Sequence, residues 1–458
     1  MQSSLTWGAK LSYAAPAFAL AVVGIPIYVF LPKLYTDVIG APVALTGWIL
    51  LAVRLLDALT DPLVGALSDR TSSRFGRRRP WIALGSLPLA LALYALFAPP
   101  QLGPQGAAAW LALGLTLLFV GWTAVAVPYE ALGVELTTGY DERTGLLGLR
   151  DGTILLGTLA AACAPALIGA LLGLSEDEGG QRAIYRALGL IYAPLLVLTC
   201  LLCVTRIREP ARSRPTTKLE LGAGLAALRE NQPFRVLLLA YVIGAIGSNL
   251  PATLMPYFVE YVLEAPQPAA KVGLFLVIYF IPGVLCTPLW VWLSRRTSKK
   301  VAWLAGIGVN TGAFMGVLLL GAGDELAYGV LVGLSGVGLG ATLALPSSMQ
   351  ADVADEDELR SGQRREGALL GLWSIARKLA AACGVGAALP LLAWSGYEPN
   401  QTQPEGVRFA LRGLYAGVPV LCNLVAAAVV LRYPIDRARH AELQRLLGRA
   451  RSEREPER

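Results

Sequence analysis

Apolar runs long enough to span a bilayer recur twelve times along this 458-residue chain, at 11–35, 43–67, 81–98, 107–128, 147–173, 184–205, 235–262, 271–293, 301–321, 327–346, 367–394 and 408–431. No other feature limits the fold so severely. About 20 residues of α-helix cross the roughly 30 Å hydrocarbon layer, whereas a transmembrane strand needs only about ten. In lipid, backbone N–H and C=O groups must be satisfied without water, which a helix does within its own segment. The runs therefore predict an all-α polytopic membrane protein. Composition agrees. Charged residues are 16% of the chain, against roughly 25% in soluble proteins, and apolar types reach 55%, more than a water-facing surface tolerates.

Lysine and arginine concentrate in alternate connections: Arg70, Arg74, Arg77, Arg78 and Arg79; then Arg206, Arg208, Arg212, Arg214 and Lys218; then Arg295, Arg296, Lys299 and Lys300; and the tail from Arg432. Intervening connections such as 99–106 have none. The positive-inside rule places the basic loops, and both termini, in the cytoplasm. The net charge of +7 thus reflects topology, and no nucleic-acid partner is expected. The first run is too long for a signal-peptide core and reads as a span, as in an inner-membrane protein. The sole histidine, His440, lies in the charged tail, which removes the basis for a histidine triad or metal site, so no enzyme is expected. Cys163, Cys200, Cys203, Cys286, Cys383 and Cys422 fall in apolar segments and read as reduced, buried packing residues. No cofactor is expected.

The longest polar interruption falls at mid-chain. It suggests a six-span bundle over 1–205, a cytoplasmic middle loop over 206–234, a second bundle over 235–432 and a charged tail over 433–458, the tail forming a short surface helix or no fixed structure. An internal repeat supports the division. Residues 62–72 match residues 288–298 at seven of eleven positions, with an offset of 226. Two six-helix halves are the layout of major facilitator transporters, which bind substrate between the halves near mid-membrane.

The repeat has one asymmetry. Asp57 and Asp61 stand where the second half has Gly283 and Thr287. They are four residues apart on one helix face, and Arg54 shares it. Carboxylates within a span are costly and usually face a cavity or a partner. One reading is an Arg54–Asp57 salt bridge that solvates a groove, which leaves Asp61 unexplained. The other is a cation site, in which two carboxylates ligate Na⁺ or share a proton. Pro62 cannot donate to the Ala58 carbonyl, which frees that oxygen near the carboxylates. Thr123 adds a hydroxyl. Lys378, in the eleventh span, is the candidate counter-charge, unless it snorkels to the interface.

Basic and acidic residues also crowd the cytoplasmic connections. Asp69, Arg70, Arg77 and Arg78 occupy the short link after the second span. Glu142 and Arg143 follow the fourth, and loop 350–366 carries Asp352 and Arg364. They are read as a cytoplasmic gate whose salt bridges join the halves in an outward-facing state, or alternatively as a solvated loop face.

The runs Arg54-Leu55-Leu56-Asp57-Ala58-Leu59-Thr60-Asp61-Pro62, Ser68-Asp69-Arg70-Thr71, Pro128-Tyr129-Glu130-Ala131-Leu132 and Tyr140-Asp141-Glu142-Arg143-Thr144, with the spacing from Asp352 to Lys378, resemble the glycoside–pentoside–hexuronide:cation symporter family, the melibiose-permease-like branch of the major facilitator superfamily. The resemblance implies uptake coupled to Na⁺, H⁺ or Li⁺. It also implies cation binding at the positions of Asp57, Asp61 and Thr123, with the lysine matching Lys378 close by. The sugar side departs, because Ala21 and Ala126 stand where melibiose-type members carry Asp. A sugar or glycoside, or an amphiphile such as the lysolipid carried by animal relatives, is the expected substrate. Tyr28, Trp122, Tyr129, Glu130, Arg150 and Trp373 are the candidate cavity residues. The chain is read as a monomer in membrane lipid. An uncoupled facilitator or exporter, or a non-transporting sensor or scaffold, are the rival readings.

Overall fold

The computed structural model describes residues 5–137, 140–175, 177–209, 224, 228–362 and 365–454. Its long helices are α1 (Trp7–Ile39), α2 (Val43–Arg70), α3 (Arg79–Phe97), α4 (Pro104–Leu136), α5 (Tyr140–Leu172) and α6 (Glu178–Arg206) in the first part of the chain. The second part has α7 (Gln232–Tyr261), α8 (Pro268–Arg296), α9 (Lys299–Val317), α10 (Glu325–Ser361), α11 (Glu366–Trp394) and α12 (Glu405–Val430). A last helix, α13 (Arg437–Arg454), follows. The described residues contain no strand, so the all-α fold class holds. Among the described residues, eleven helices are long and apolar enough to cross a membrane. The exception is α9, whose 19 residues open on Lys299 and Lys300 and include Asn310, so the expected count of twelve is not reached by that measure.

Local chemistry sets the helix ends. The Asn231 side chain accepts from the Phe234 N–H at 3.0 Å and Ser298 accepts from Val301 at 3.2 Å, starting α7 and α9. Asp177 accepts from Gly180 at 2.7 Å ahead of α6, and this bond holds its carboxyl below the usual range. Proline and glycine shape the interiors. In α1, Pro26 opens a wide π-turn over Pro26–Phe30 and a second follows over Leu34–Ile39. In α8, the helix breaks at Cys286, just before Thr287-Pro288.

Two connections expected as loops are helical. Residues 350–361 belong to α10, and residues from 140 onward belong to α5. Between Gln350 and Ser361 no Gly or Pro interrupts, and Ala, Glu and Leu favour continuation. At 37 residues, α10 is about 55 Å long, so it runs beyond the hydrocarbon. Most of the middle loop, 210–223 and 225–227, lies outside the described residues.

Helices α1–α6 pack among themselves, as do α7–α12, and the two bundles meet mainly where α2 lies on α11, α5 on α8 and α1 on α7. The α2–α11 seam is tight: a Cβ on Gly386 would overlap Leu51. Cys200 and Cys203 are buried as expected, but Cys163 and Cys383 are exposed and Cys286 and Cys422 half-buried. The reason is physical. Outward faces of these helices are as apolar as the interior, as Leu326 and Trp394 show with more than four-fifths of their surface free. An apolar segment therefore does not reveal which of its faces is covered.

Candidate functional site

Midway along α2, Arg54, Asp57 and Asp61 point toward α4 and α11. Asp57 is 3% exposed and Asp61 28%, so one carboxylate is sealed and the other reachable. Thr123 of α4 is fully buried between them, its hydroxyl 3.1 Å from Oδ1 of each. A single hydroxyl proton serves one carboxylate at a time, and the oxygen's lone pairs face the same spot. From α11, Lys378 Nζ donates to Asp57 Oδ2 at 3.1 Å and pairs with Asp61 Oδ2. The lysine thus bridges the carboxylates across the two bundles rather than snorkelling. Arg54 Nη1 reaches Asp57 Oδ2 at 3.2 Å, so the helix-internal salt bridge also forms. Two acids and two bases make this cluster neutral with no ion in it.

Arg54 is held flat. Its guanidinium lies 4.1 Å from the Tyr28 ring centre and 4.4 Å from that of Phe119. Tyr28 sits on the first π-turn of α1. Both residues line a cavity of about 220 Å³ between the bundles. Most of its wall comes from α7, α8, α9 and α10, with Asn249, Asn310, Ser335, Phe280 and Phe314 prominent.

The remaining cavity candidates lie elsewhere. Tyr129 is buried, stacks on Tyr13 with ring centres 4.9 Å apart and donates to the Tyr13 carbonyl at 2.8 Å. Trp373 is buried against Tyr241, 4.5 Å between centres. Trp122 is half-buried on α4. Glu130 is exposed. Arg150 pairs with Asp151 at 2.7 Å. None of these five lines the Tyr28–Arg54 cavity. Sequence reasoning missed the second-bundle wall. Amides inside apolar spans, Asn249 and Asn310, were the available signal.

The gate residues pair within their own bundle. Arg78 pairs with Asp69 and with Glu135 at 3.1 Å, and donates to Ser68 at 2.8 Å. Arg77 reaches Glu135 at 3.2 Å. Glu142 accepts from the Leu5 N–H at 2.6 Å, and Arg143 donates to the Val134 and Thr137 carbonyls. Arg70 is exposed. Asp352 pairs with Lys299 at 2.7 Å and His440 at 3.3 Å. Arg439 of α13 reaches Glu356 at 3.1 Å, and this bond raises the arginine's pKa further. Arg364 lies outside the described residues. The expected salt bridges between halves at this end are therefore absent among the described residues.

Besides the Lys378 bridge, the crossing bonds sit at the opposite end. The Asp37 carboxylate, 4% exposed, accepts from Lys33 at 2.7 Å and Thr36 at 2.6 Å on its own helix. From the second bundle it accepts from Tyr261 at 2.9 Å and Tyr397 at 2.8 Å. Lys33 also pairs with Glu260 at 2.7 Å, Thr36 shares a hydrogen bond with Tyr257 at 2.8 Å, and Asn400 donates to the Asp37 carbonyl at 2.7 Å. The molecule is latched at the end away from its termini. Lys33 and Asp37 at i, i+4 were the missed sequence signal.

Comparison with known proteins bears on the fold and on the family. The family model described as MFS/sugar transport protein matches residues 12–437. A glucuronide carrier protein homolog of Escherichia coli is 26% identical, covering 97% of this chain and 96% of its own. A putative glycoside/cation symporter of the same organism is 27% identical over 98% and 96%. A sodium-dependent lysophosphatidylcholine symporter of Danio rerio is 24% identical over 99% and 91%. Among solved structures, a D-xylose-proton symporter superposes with a TM-score of 0.68 at 14% identity, covering 94% of this chain and 98% of that one; a likeness at that identity speaks to the fold alone. A family match over nearly the whole chain, on an all-helical two-bundle architecture, makes this chain an integral membrane transporter, not an enzyme, and a member of the MFS sugar-transport family within the major facilitator superfamily.

Proposed function

We propose that the chain is a cation-coupled symporter of a bacterial inner membrane, with both termini in the cytoplasm, carrying a sugar- or glycoside-type solute as its bacterial relatives are named for doing. The observation that carries this reading is the convergence of Asp57, Asp61 and Thr123 on one point, with Lys378 from the other bundle closing it. Na⁺ would take carboxylate and hydroxyl oxygens here, and a proton would take the more exposed Asp61. Either competes with the Lys378 ammonium for the same oxygens. Because Lys378 belongs to the second bundle, its release loosens the mid-membrane tie between the bundles. The cation thus acts on the rocking equilibrium itself. With the termini in the cytoplasm, the latch around Asp37 closes the periplasmic end, and the described conformation faces inward.

An amphiphilic substrate is the second reading. It is favoured by the largely apolar cavity wall and by Ala21 and Ala126. Uptake in proteoliposomes under imposed Na⁺ or H⁺ gradients tests the coupling. Concentrative uptake that disappears in Asp57→Asn, with equilibration also lost or slowed, is expected. Equilibration without concentration in the native protein, unchanged in Asp57→Asn, would instead make the protein an uncoupled facilitator. No flux of any solute under any gradient would favour the sensor or scaffold.

A further inference from the structure

A cavity of about 270 Å³ lies where the end of α8 and the starts of α9 and α13 meet α10. It shares no residue with the cation cluster. Arg295, Lys299, Arg437 and His440 line it, with Asp352 and Asp436 as its acids. The tail helix α13 is a fixed wall of this space. Its Leu443 and Leu447 are buried, Arg439 pairs with Glu356 at 3.1 Å, and Gln444 donates to Asp355 at 2.7 Å. Arg437 Nη1 donates to the Arg295 carbonyl at 3.1 Å, which joins the tail to the end of α8.

The acids are already spent. Asp352 accepts from Lys299 Nζ at 2.7 Å on both oxygens and lies 3.3 Å from His440. Asp436 accepts from the Arg439 N–H at 2.8 Å at the head of α13. Arg295 and Arg437 have no carboxylate partner among the described residues. Positive charge at this end of the helices follows from topology. Its convergence does not, because Arg295 and Arg437 stand 142 residues apart in the chain and the docked tail brings them to one cavity. The space thus holds more cation than its acids balance, and an anion would correct the excess.

The chemistry of that anion follows from the donors and from what borders them. Paired arginines suit phosphate, whose oxygens accept several charge-assisted hydrogen bonds from planar guanidinium groups. The outward face of α8 names the carrier. Leu289 and Trp292 are half exposed or more, and the Arg296 guanidinium lies over the Trp292 ring at 5.6 Å. At i, i+3 and i+7 these three form one stripe, apolar along its length and cationic at its end, as at a membrane–water boundary. Arg295, next in the chain to Arg296, lines the cavity, so an acyl chain lying on the stripe brings its phosphate to the two arginines.

We propose that this cavity binds the phosphate of an anionic phospholipid, gripped by Arg295 and Arg437, and that the bound headgroup fastens the tail helix to the second bundle. The site is independent of ion coupling and of the transported solute.

Three probes test it on the purified full-length protein in detergent: dioctanoyl phosphatidylglycerol, uncharged dioctanoylglycerol, and glycerol 3-phosphate, which has the phosphate without the chains. Native mass spectrometry titrates binding, and hydrogen exchange locates it. The anionic lipid fills one saturable site and slows exchange across 294–299 and 435–440, and dioctanoylglycerol does neither. Arg295→Gln/Arg437→Gln weakens the lipid about tenfold or more, the loss of two charge-assisted hydrogen bonds, whereas Arg295→Lys/Arg437→Lys keeps part of the affinity. Both side chains are exposed, so the variants fold, and an unchanged melting temperature checks this. Arg206→Gln/Arg208→Gln removes the same charge from another exposed pair and leaves binding unchanged. Glycerol 3-phosphate binding as tightly as the lipid, and weakened alike by the cavity variant, keeps the phosphate site and overturns the lipid as its source. Equal binding of lipid and dioctanoylglycerol, equal loss in both glutamine variants, exchange slowed only elsewhere, or no saturable binding of lipid or glycerol 3-phosphate up to about 1 mM overturns the site itself.

Discussion

Replacing Asp37 with Asn will open the end of the molecule opposite its termini. Four side chains donate to this buried carboxylate, but they do not count equally. Lys33 and Thr36 belong to the same helix and travel with Asp37 in either state, so their bonds cancel. Tyr261 and Tyr397 belong to the other bundle and leave when that end opens. A hydrogen bond to a charged acceptor contributes about 1.5–3 kcal/mol, and a neutral one about 0.5–1.5 kcal/mol. Neutralising the acceptor therefore weakens each crossing bond by about 1 kcal/mol, and the pair by about 2 kcal/mol, which is roughly a 30-fold shift toward the open form. The Lys33–Glu260 pair still crosses the seam and keeps the closed form from vanishing. Spin labels at Gly179 and Gln401, in a background with Cys163 and Cys383 changed to Ser, report the separation by pulsed electron resonance. The flanking Asn400 and Glu178 side chains meet at 3.3 Å, so the closed form gives a short distance. The long-distance population should grow in Asp37→Asn and in the double variant Tyr261→Phe/Tyr397→Phe. An unchanged distribution in both refutes the assignment of a latch.

Three further outcomes are expected. Gly386→Val presses a side chain into Leu51 across the α2–α11 seam, so the same labels should report a wider opposite end, with a stability loss of about 1–3 kcal/mol in thermal unfolding. Thr123→Ala should weaken cation binding about tenfold, the loss of one ligand hydroxyl, while Thr123→Ser retains near-normal affinity; equal loss in both would mean the methyl group matters instead. Glu135→Gln removes the charge that serves buried Arg78 and neighbouring Arg77, and should cost about 2 kcal/mol of stability with cation affinity unchanged.

The spans and the cluster of Asp57, Asp61 and Lys378 were legible because their signals are one-dimensional. Twenty apolar residues read the same in any fold, and a carboxylate pair at i, i+4 shares a face wherever its helix packs. Lys378 was legible because a charge deep in a span has few uses. What failed was whatever depends on which bundle a face meets. Tyr129 and Trp373 have the composition of cavity residues, yet they pack on Tyr13 and Tyr241. The gate acids around Asp352 and Glu142 find partners within their own bundle, because helices α5 and α10 carry them past the membrane as rigid rods. The latch joins Asp37 to Tyr261, Tyr397 and Asn400, which lie 224, 360 and 363 residues further along the chain, and no local pattern links them to it. Exposed Cys163 and Cys383 make the same point: lipid hides the distinction between inside and outside that water would have written into the sequence.

Direct cation binding to the purified protein is the measurement closest to the centre of this account. Equilibrium binding of radioactive Na⁺, run alongside proton uptake or release in a weakly buffered solution, should show a single saturable cation per chain in the native protein. Asp57→Asn and Asp61→Asn should each abolish it, and Lys378→Gln should tighten it by removing the competing ammonium. Saturable binding of unchanged affinity in both aspartate variants would contradict the claim that ion coupling enters through this carboxylate pair.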